Sequence, residues 1–262
     1  MTPVTAPVSG SLSEPVSTRA RRVLVVIPAW NERDSVGWVV RDVRTRYPDV
    51  DVLVVDDGSG DDTSAVATDA GAAVCRLPIN LGVGGAMRAG YRYALRREYD
   101  AVVQVDADGQ HDVAYLPDLV ACLDQADVVV GARFAGEGHY AARGPRRWAM
   151  RLLALVLSYL AHQSLCDVTS GFRAVNRRGI RLFAAHYPAE YLGDTVESLV
   201  IAVRTGCTVT QVPVAMRLRT SGRASQSTLR SVLYLARAVV ALALALVRRW
   251  PAGLETVPRE PA

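Results

Sequence analysis

The chain has 262 residues, half of them apolar and 21% charged, which is ample for a packed core and excludes disordered, collagenous and disulfide-stapled classes. Lys+Arg number 30 and all are Arg, so a Walker A loop, a Schiff-base enzyme and a protein-kinase core, each of which needs a Lys, are excluded too. The net charge of +4 hides an asymmetry: residues 1–132 carry 12 Arg against 19 acids, and residues 133–249 carry 17 Arg against 5. An acidic first half suits a cation and a basic second half an anion. No recognition helix, zinc finger or aromatic RNP pattern is present, so nucleic acid is not expected as that anion.

Residues 1–20 are rich in Pro, Ser and Thr and lack an apolar segment, which predicts a disordered tail rather than a signal peptide. Residues 22–28 (RVLVVIP) read as a strand and 35–47 as a helix; 51–56 (DVLVVD) read as a second strand, with a short helix near 63–70. A third strand over 72–77 precedes a helix over 84–97. A fourth, 101–106 (AVVQVD), precedes helical spacing over 116–123, and 127–134 (DVVVGARF) is again a strand. Strands apolar on both faces, alternating with helices, imply a mostly parallel sheet covered by helices. Cys75, Cys122, Cys166 and Cys207 show no CxxC spacing and read as buried reduced thiols of a cytosolic protein.

Two later stretches bear on membranes. The basic, Trp-bearing run 143–151 leads into apolar 152–161. Residues 229–247 are also apolar, but Arg237 interrupts them and leaves a charge-free run of ten, 238–247. A span needs about 20 residues. Both suit helices lying on an anionic bilayer surface; a buried core helix and a packing or dimer helix are the alternatives. The expected organisation is a tail over 1–20, a catalytic domain over 21–226, an amphipathic helix over 227–249 and a second tail over 250–262.

Polar clusters follow four strand ends: Pro28-Ala29-Trp30-Asn31-Glu32, Asp56-Asp57-Gly58-Ser59, Asn80-Leu81-Gly82 and Asp106-Ala107-Asp108. In an open parallel sheet the carboxyl ends share one edge, where ligands bind. Extended geometry would turn Asp106 and Asp108 to the same side. With Gln110, they suit a hard divalent cation that keeps waters and accepts phosphate oxygens; a helix-capping acidic turn is the plainer alternative. In DDGSGDDT, Gly58 permits a tight turn and Asp62 or Thr63 can cap a helix, which leaves spare carboxylates for a base or ribose. Gly82-Val83-Gly84-Gly85 lacks the GxGxxG spacing, so a NAD site is rejected, although such a segment brings backbone N–H groups close to an anion.

IPAWNE, VVDDGSGDDT, NLGVGGA, QVDADGQH, GARF and DVTSGFRAVNR occur in this order. Together they resemble an inverting glycosyltransferase of family 2, in its polyprenyl-phosphate (dolichyl-phosphate) mannose or glucose synthase branch. The resemblance implies a GT-A fold, an α/β nucleotide-sugar-binding sheet joined to an acceptor-binding half. It places Pro28, Ala29 and Glu32 at the nucleoside and Asp56 and Asp57 near base and ribose. Asp106, Asp108 and Gln110 would ligate Mg²⁺ or Mn²⁺ on the donor diphosphate. Arg133, Ser170 and Arg173 would lie near the acceptor phosphate, and Arg219 or Arg223 near the donor diphosphate. The sequence departs from the pattern at Asn80, where many relatives are basic, and at Val113, where proline is frequent.

A phosphate monoester is mostly dianionic at neutral pH, so a polyprenyl-phosphate acceptor needs Arg more than a general base. A hydroxyl acceptor would need a base, for which Asp194 and Glu197 are the candidates; Asp194 also suits an N-cap. His111 reads as an orienting or surface residue rather than a metal ligand. The expected enzyme is a metal-dependent hexosyltransferase peripheral on the inner face of the plasma membrane. Its alternatives are transfer to a saccharide or small-molecule hydroxyl and a non-catalytic nucleotide-sugar-binding module.

Overall fold

The computed structural model describes residues 21–133, 145–188 and 194–217, with side chains of the fifth helix described from 153 onward. The predicted alternation is present. Strand β1 (Val23–Ala29) is followed by helix α1 (Val36–Arg46), β2 (Asp51–Asp56), α2 (Thr63–Asp69), β3 (Ala73–Arg76), α3 (Gly82–Arg96) and β4 (Ala101–Gln104). Then come α4 (Leu116–Ala121), β5 (Val128–Ala132), α5 (Pro145–Ala161), β6 (Arg173–Asn176), α6 (Arg177–His186), α7 (Asp194–Arg204) and β7 (Val209–Pro213). The helix expected over 116–123 stops early and finishes as a 3-10 turn over Cys122–Asp124.

The seven strands form one sheet in the order β3-β2-β1-β4-β6-β5-β7. It is mostly parallel; β6 alone among the described strands runs antiparallel to its neighbours β4 and β5. Two cores explain why β1 is apolar throughout. Leu24 and Val26 face one cluster with Met87, Tyr91, Phe183 and Leu199, whereas Val25 and Ile27 face another with Val36, Val40, Val43 and Leu119. Side chains alternate along a strand, so a strand covered on both faces needs apolar residues at every position. The third strand departs from that pattern: β3 lies at the sheet edge and is only half-buried.

The strand order changes direction between β1 and β4, since β1 pairs in parallel with both β2 and β4. At such a switch point the connections leave in opposite directions and open a crevice beyond the carboxyl ends of the strands. Loops 29–35, 56–62 and 105–112 all leave that edge. The polar clusters singled out in the sequence therefore converge.

Candidate active site

The aspartate pair after β2 is committed to the fold. Asp56 is fully buried; its Oδ1 accepts from Ser59 N at 2.8 Å and its Oδ2 from the Ser64 hydroxyl. Burial pushes its carboxyl up, but the bonds from Ser59 and Ser64 and the nearby Arg76 outweigh this and hold it below the usual value. Asp57, also buried, uses Oδ1 for Leu81 N and Oδ2 for Gly82 N, both at 2.7 Å. It thereby satisfies donors at the start of α3 that no helix residue can reach. Gly58 makes the turn between them at φ 71°, where an added Cβ would lie 2.8 Å from the Ile79 carbonyl carbon.

Each of the four oxygens of Asp56 and Asp57 accepts a protein hydrogen bond. Asp62 and Thr63 do not supply the cap through their side chains; Asp61 Oδ1 accepts from Thr63 N at 3.0 Å. Pro28 and Ala29 are buried in β1, and Ala29 O accepts from Asp57 N at 2.9 Å. Half-buried Glu32 accepts from Ser35 Oγ at 2.7 Å and its N–H donates to Thr63 Oγ1. These residues build the wall of the crevice.

The pair after β4 differs. The strand ends at Gln104, and Ala107–Gly109 form a turn, so the extended geometry expected for Asp106 and Asp108 is replaced by a bend with Gly109 at φ 76°. Both carboxylates remain partly exposed, Asp106 with 41% of its side chain accessible. Asp108 Oδ1 accepts from Gln110 N at 3.0 Å, which shapes the loop, and Gln110 is itself half-exposed.

Asp106 is aimed by its surroundings. Gln104 Nε2 reaches its Oδ1 at 3.3 Å, and His111 Nε2 lies 3.5 Å from its Oδ2. The His111 ring is buried and stacks on Phe172 with centroids 4.9 Å apart. Its Nδ1 accepts from Asp106 N at 3.0 Å, which leaves the ring proton of the neutral form on Nε2, facing the carboxylate. Gly171 closes over the same group: a Cβ there would stand 3.2 Å from both Asp106 oxygens.

Among the described residues no group of three His, Cys, Asp or Glu is arranged to hold a metal. Two half-exposed carboxylates with room for water and phosphate oxygens are nonetheless the donor set a hard, reluctantly dehydrated cation accepts. The residues present fit a divalent cation shared with a diphosphate.

Two arginines of the second half are held by the fold beside this loop. Arg133 makes a bidentate pair with buried Asp167, Nε to Oδ2 at 2.7 Å and Nη2 to Oδ1 at 3.0 Å, and Nη2 also bonds Thr169 Oγ1 at 2.7 Å. Burial raises the Asp167 carboxyl, but the Arg133 guanidinium more than compensates and holds it below the usual value. Arg173 is 1% exposed and donates to Ser170 O (2.8 Å), Ser198 Oγ (2.8 Å) and Val168 O (3.2 Å). Ser170 is fully buried. In this structure Ser170 and Arg173 support the 168–172 loop beside Asp106.

Asp194 opens α7. Burial raises its carboxyl, as does the Asp106 charge, while Arg173 acts in the opposite sense; the three groups therefore sense one another electrostatically. Glu197, one turn on, is half-buried. Arg219 and Arg223 lie outside the described residues, as do 227–249 and the side chains of 145–152. The segment leading toward Arg219 is stapled to the loop after β4: Arg217 N donates to Gln110 O at 2.9 Å, and its guanidinium bonds Asp42 and Asp112, each at 2.6 Å. Sequence reasoning missed Arg217 and Asp167. Asp167 carried a signal, being one of only five acids in the basic half.

The sequence model of Glycosyl transferase family 2 matches residues 24–183. The chain is 34% identical over 218 residues to the undecaprenyl-phosphate mannosyltransferase of Micrococcus luteus, covering 79% of this chain and 88% of that one. It is 30% identical over 242 residues to the polyprenol monophosphomannose synthase of Mycolicibacterium smegmatis, covering 86% and 89%. In structure it is similar to glucosyl-3-phosphoglycerate synthase of Mycobacterium tuberculosis, solved with Mn²⁺, uridine diphosphate and phosphoglyceric acid. The TM-score there is 0.65 at 20% identity, over 86% of this chain and 78% of the other. The strand order, the loops at the switch point and this match over most of the chain agree: it has the GT-A fold and belongs to glycosyl transferase family 2.

Proposed function

We propose that this protein transfers a hexose from a nucleotide-diphosphate sugar of the GDP-mannose or UDP-glucose type to a polyprenyl phosphate, with Mg²⁺ or Mn²⁺ as cofactor. The observation that carries the donor side is the half-exposed Asp106–Asp108 pair at the switch point, aimed by Gln104 and His111. Asp106 and Asp108, with Gln110 beside them, would hold the cation. When bound, such an ion offsets the charge that develops on the departing diphosphate. The two relatives named for polyprenyl-linked mannosyl transfer support the acceptor and favour mannose.

On this reading the acceptor dianion attacks without a protein base, since it is already deprotonated near neutral pH. The 168–172 loop, tied down by Arg133–Asp167 and Arg173, keeps Gly171 against Asp106 and so fixes where the donor sits. Arg219 and Arg223 are proposed to meet the diphosphate, because Arg217 fastens their segment to the cation loop. The proposed catalytic unit is 21–226. The apolar 227–249 and the α5 face bearing Leu155 and Tyr159, which are 69% and 79% exposed, would lie on the anionic inner surface of the plasma membrane. No helix among the described residues is long and apolar enough to cross a bilayer.

A second reading has its own observation. A half-buried carboxylate whose pKa is raised by desolvation, Asp194, is what a general base for a hydroxyl acceptor looks like. One assay separates the two: incubation with Mn²⁺, radiolabelled GDP-mannose or UDP-glucose and polyprenyl phosphate, then partition into organic solvent. Label entering the organic phase is the expected result. Label that stays aqueous while nucleoside diphosphate is released would favour the hydroxyl acceptor, and no release with any donor would favour a binding module.

A further inference from the structure

A short segment reaches the loop after β4 from the far edge of the sheet. Strand β7 lies at that edge, three places from β4, a separation of about 14 Å at the usual strand spacing. Val214 to Arg217 cover the distance. Four extended residues span about 13–14 Å, so this strap has little slack. Val214 is buried against Gly131, and its N–H donates to Ala132 O at 3.1 Å. Met216 then pairs with His111 as an isolated antiparallel bridge, and Arg217 N donates to Gln110 O at 2.9 Å.

The strap thereby holds the two residues that hold the open aspartates. His111 Nδ1 accepts from Asp106 N, and Gln110 N donates to Asp108 Oδ1, each at 3.0 Å. The Arg217 side chain fastens the strap. Its Nη1 donates to Asp42 Oδ2 and its Nη2 to Asp112 Oδ1, each at 2.6 Å, and its guanidinium carbon stands 5.3 Å from the Trp38 ring centroid. Asp42 is fixed in turn by Arg46 Nε at 2.8 Å, and Asp112 Oδ1 also accepts from Ala114 N at 3.0 Å. One planar fork thus joins α1, the loop after β4 and the chain leaving β7, a task that charge-assisted bonds to two carboxylates suit. Only 24% of that side chain is exposed, and two carboxylates already occupy it. It is a poor partner for a phosphate and a good brace.

We propose that Arg217 is a positioning residue for the cation and diphosphate, acting through Gln110 on Asp108 and through His111 on Asp106. This rests on the nucleotide-sugar reading above, and adds to it a residue that touches neither donor nor cation. The role carries a sign that charge alone does not give. Loss of Asp42 removes a negative charge from the neighbourhood of a site that takes a diphosphate, which by Coulomb's law favours the anion. Through the brace, the same loss weakens binding.

The test is calorimetric titration with GDP and with UDP in saturating Mn²⁺, beside thermal midpoints, for wild type, Arg217→Gln, Asp42→Ala and the double variant. Position 42 lies within α1, where Ala is the best helix former, so Asp42→Ala decides the matter even where Arg217→Gln does not fold. The diphosphate that wild type takes should bind Arg217→Gln about tenfold more weakly, the low end of what losing a metal ligand's supporting partner costs, and Asp42→Ala about threefold. The double variant should match Arg217→Gln, because both changes cut one link. Unchanged or tighter binding by Asp42→Ala would overturn the brace, as would additive losses. A loss confined to Arg217→Gln is the mark of direct contact with the diphosphate, and lowered midpoints at wild-type affinity are the mark of a bond that serves the fold alone. Wild-type protein that binds neither diphosphate would bring down the donor reading itself, and the role of Arg217 with it.

Discussion

Two aspartate pairs stand after neighbouring strands of one sheet, and the sheet puts them to opposite uses. Asp56 and Asp57 are buried, with every oxygen accepting from Ser59, Ser64, Leu81 or Gly82. Asp106 and Asp108 remain partly open, steadied at their edges by Gln104, His111 and Gln110. Acid content does not distinguish the pairs; the supply of backbone N–H groups does. The loop after β3 folds over the first pair and presents two N–H donors to Asp57, whereas the loop after β4 bends at Gly109 and leaves its carboxylates facing the crevice. The proposed cation site is where the carboxylates stay partly exposed.

The largest expected effect that sharpens this contrast is on the open pair. Asp108→Ala should lower turnover and Mn²⁺-supported donor binding by about a hundredfold or more, because the diphosphate loses its counter-charge. Next comes the support of the 168–172 loop: Asp167→Ala removes the buried carboxylate that takes the bidentate bond of the Arg133 guanidinium. Urea unfolding should show a loss of about 3 kcal/mol.

Asp57→Ala should cost about 1–3 kcal/mol in the same measurement by orphaning Leu81 N and Gly82 N. If it instead abolished nucleotide binding at unchanged stability, the contrast between the pairs would be broken. The smallest effect is in pH. Asp56 and Asp167 have folded values below the ordinary 3.8, so the unfolded chain binds their protons first as pH falls. The stability they contribute is complete above about pH 4–5 and disappears as pH drops through the folded values. Thermal midpoints from pH 6 to pH 2 should therefore fall less steeply for Asp167→Asn than for wild type.

Much of this was legible in the sequence, and the illegible part has a physical cause. Continuous apolar runs marked β1, β2, β4 and β5, because a strand between two helical layers needs apolar residues on both faces. Those runs also fixed which loops share the binding edge. The strands β6 (RAVN) and β7 (VTQVP) were not anticipated: they are four and five residues long, polar, and paired with partners far along the chain. The roles of single acids and arginines were hidden for the same reason. Asp57 meets donors 24 and 25 residues away, and Arg133 meets Asp167 across 34. Motif position brought Arg173 to the right loop, and the three-dimensional contacts show its side chain buried there and bonded to Ser170 O and Val168 O.

The most direct test is a Mn²⁺ titration followed by electron paramagnetic resonance, with GDP or UDP present, on wild type, Asp108→Asn and Asp57→Asn. Nucleotide-supported Mn²⁺ binding that is retained in Asp57→Asn and lost in Asp108→Asn is the expected result. Equal Mn²⁺ affinity in wild type and Asp108→Asn, or its loss in Asp57→Asn at intact stability, would contradict the assignment of the cation to the loop after β4.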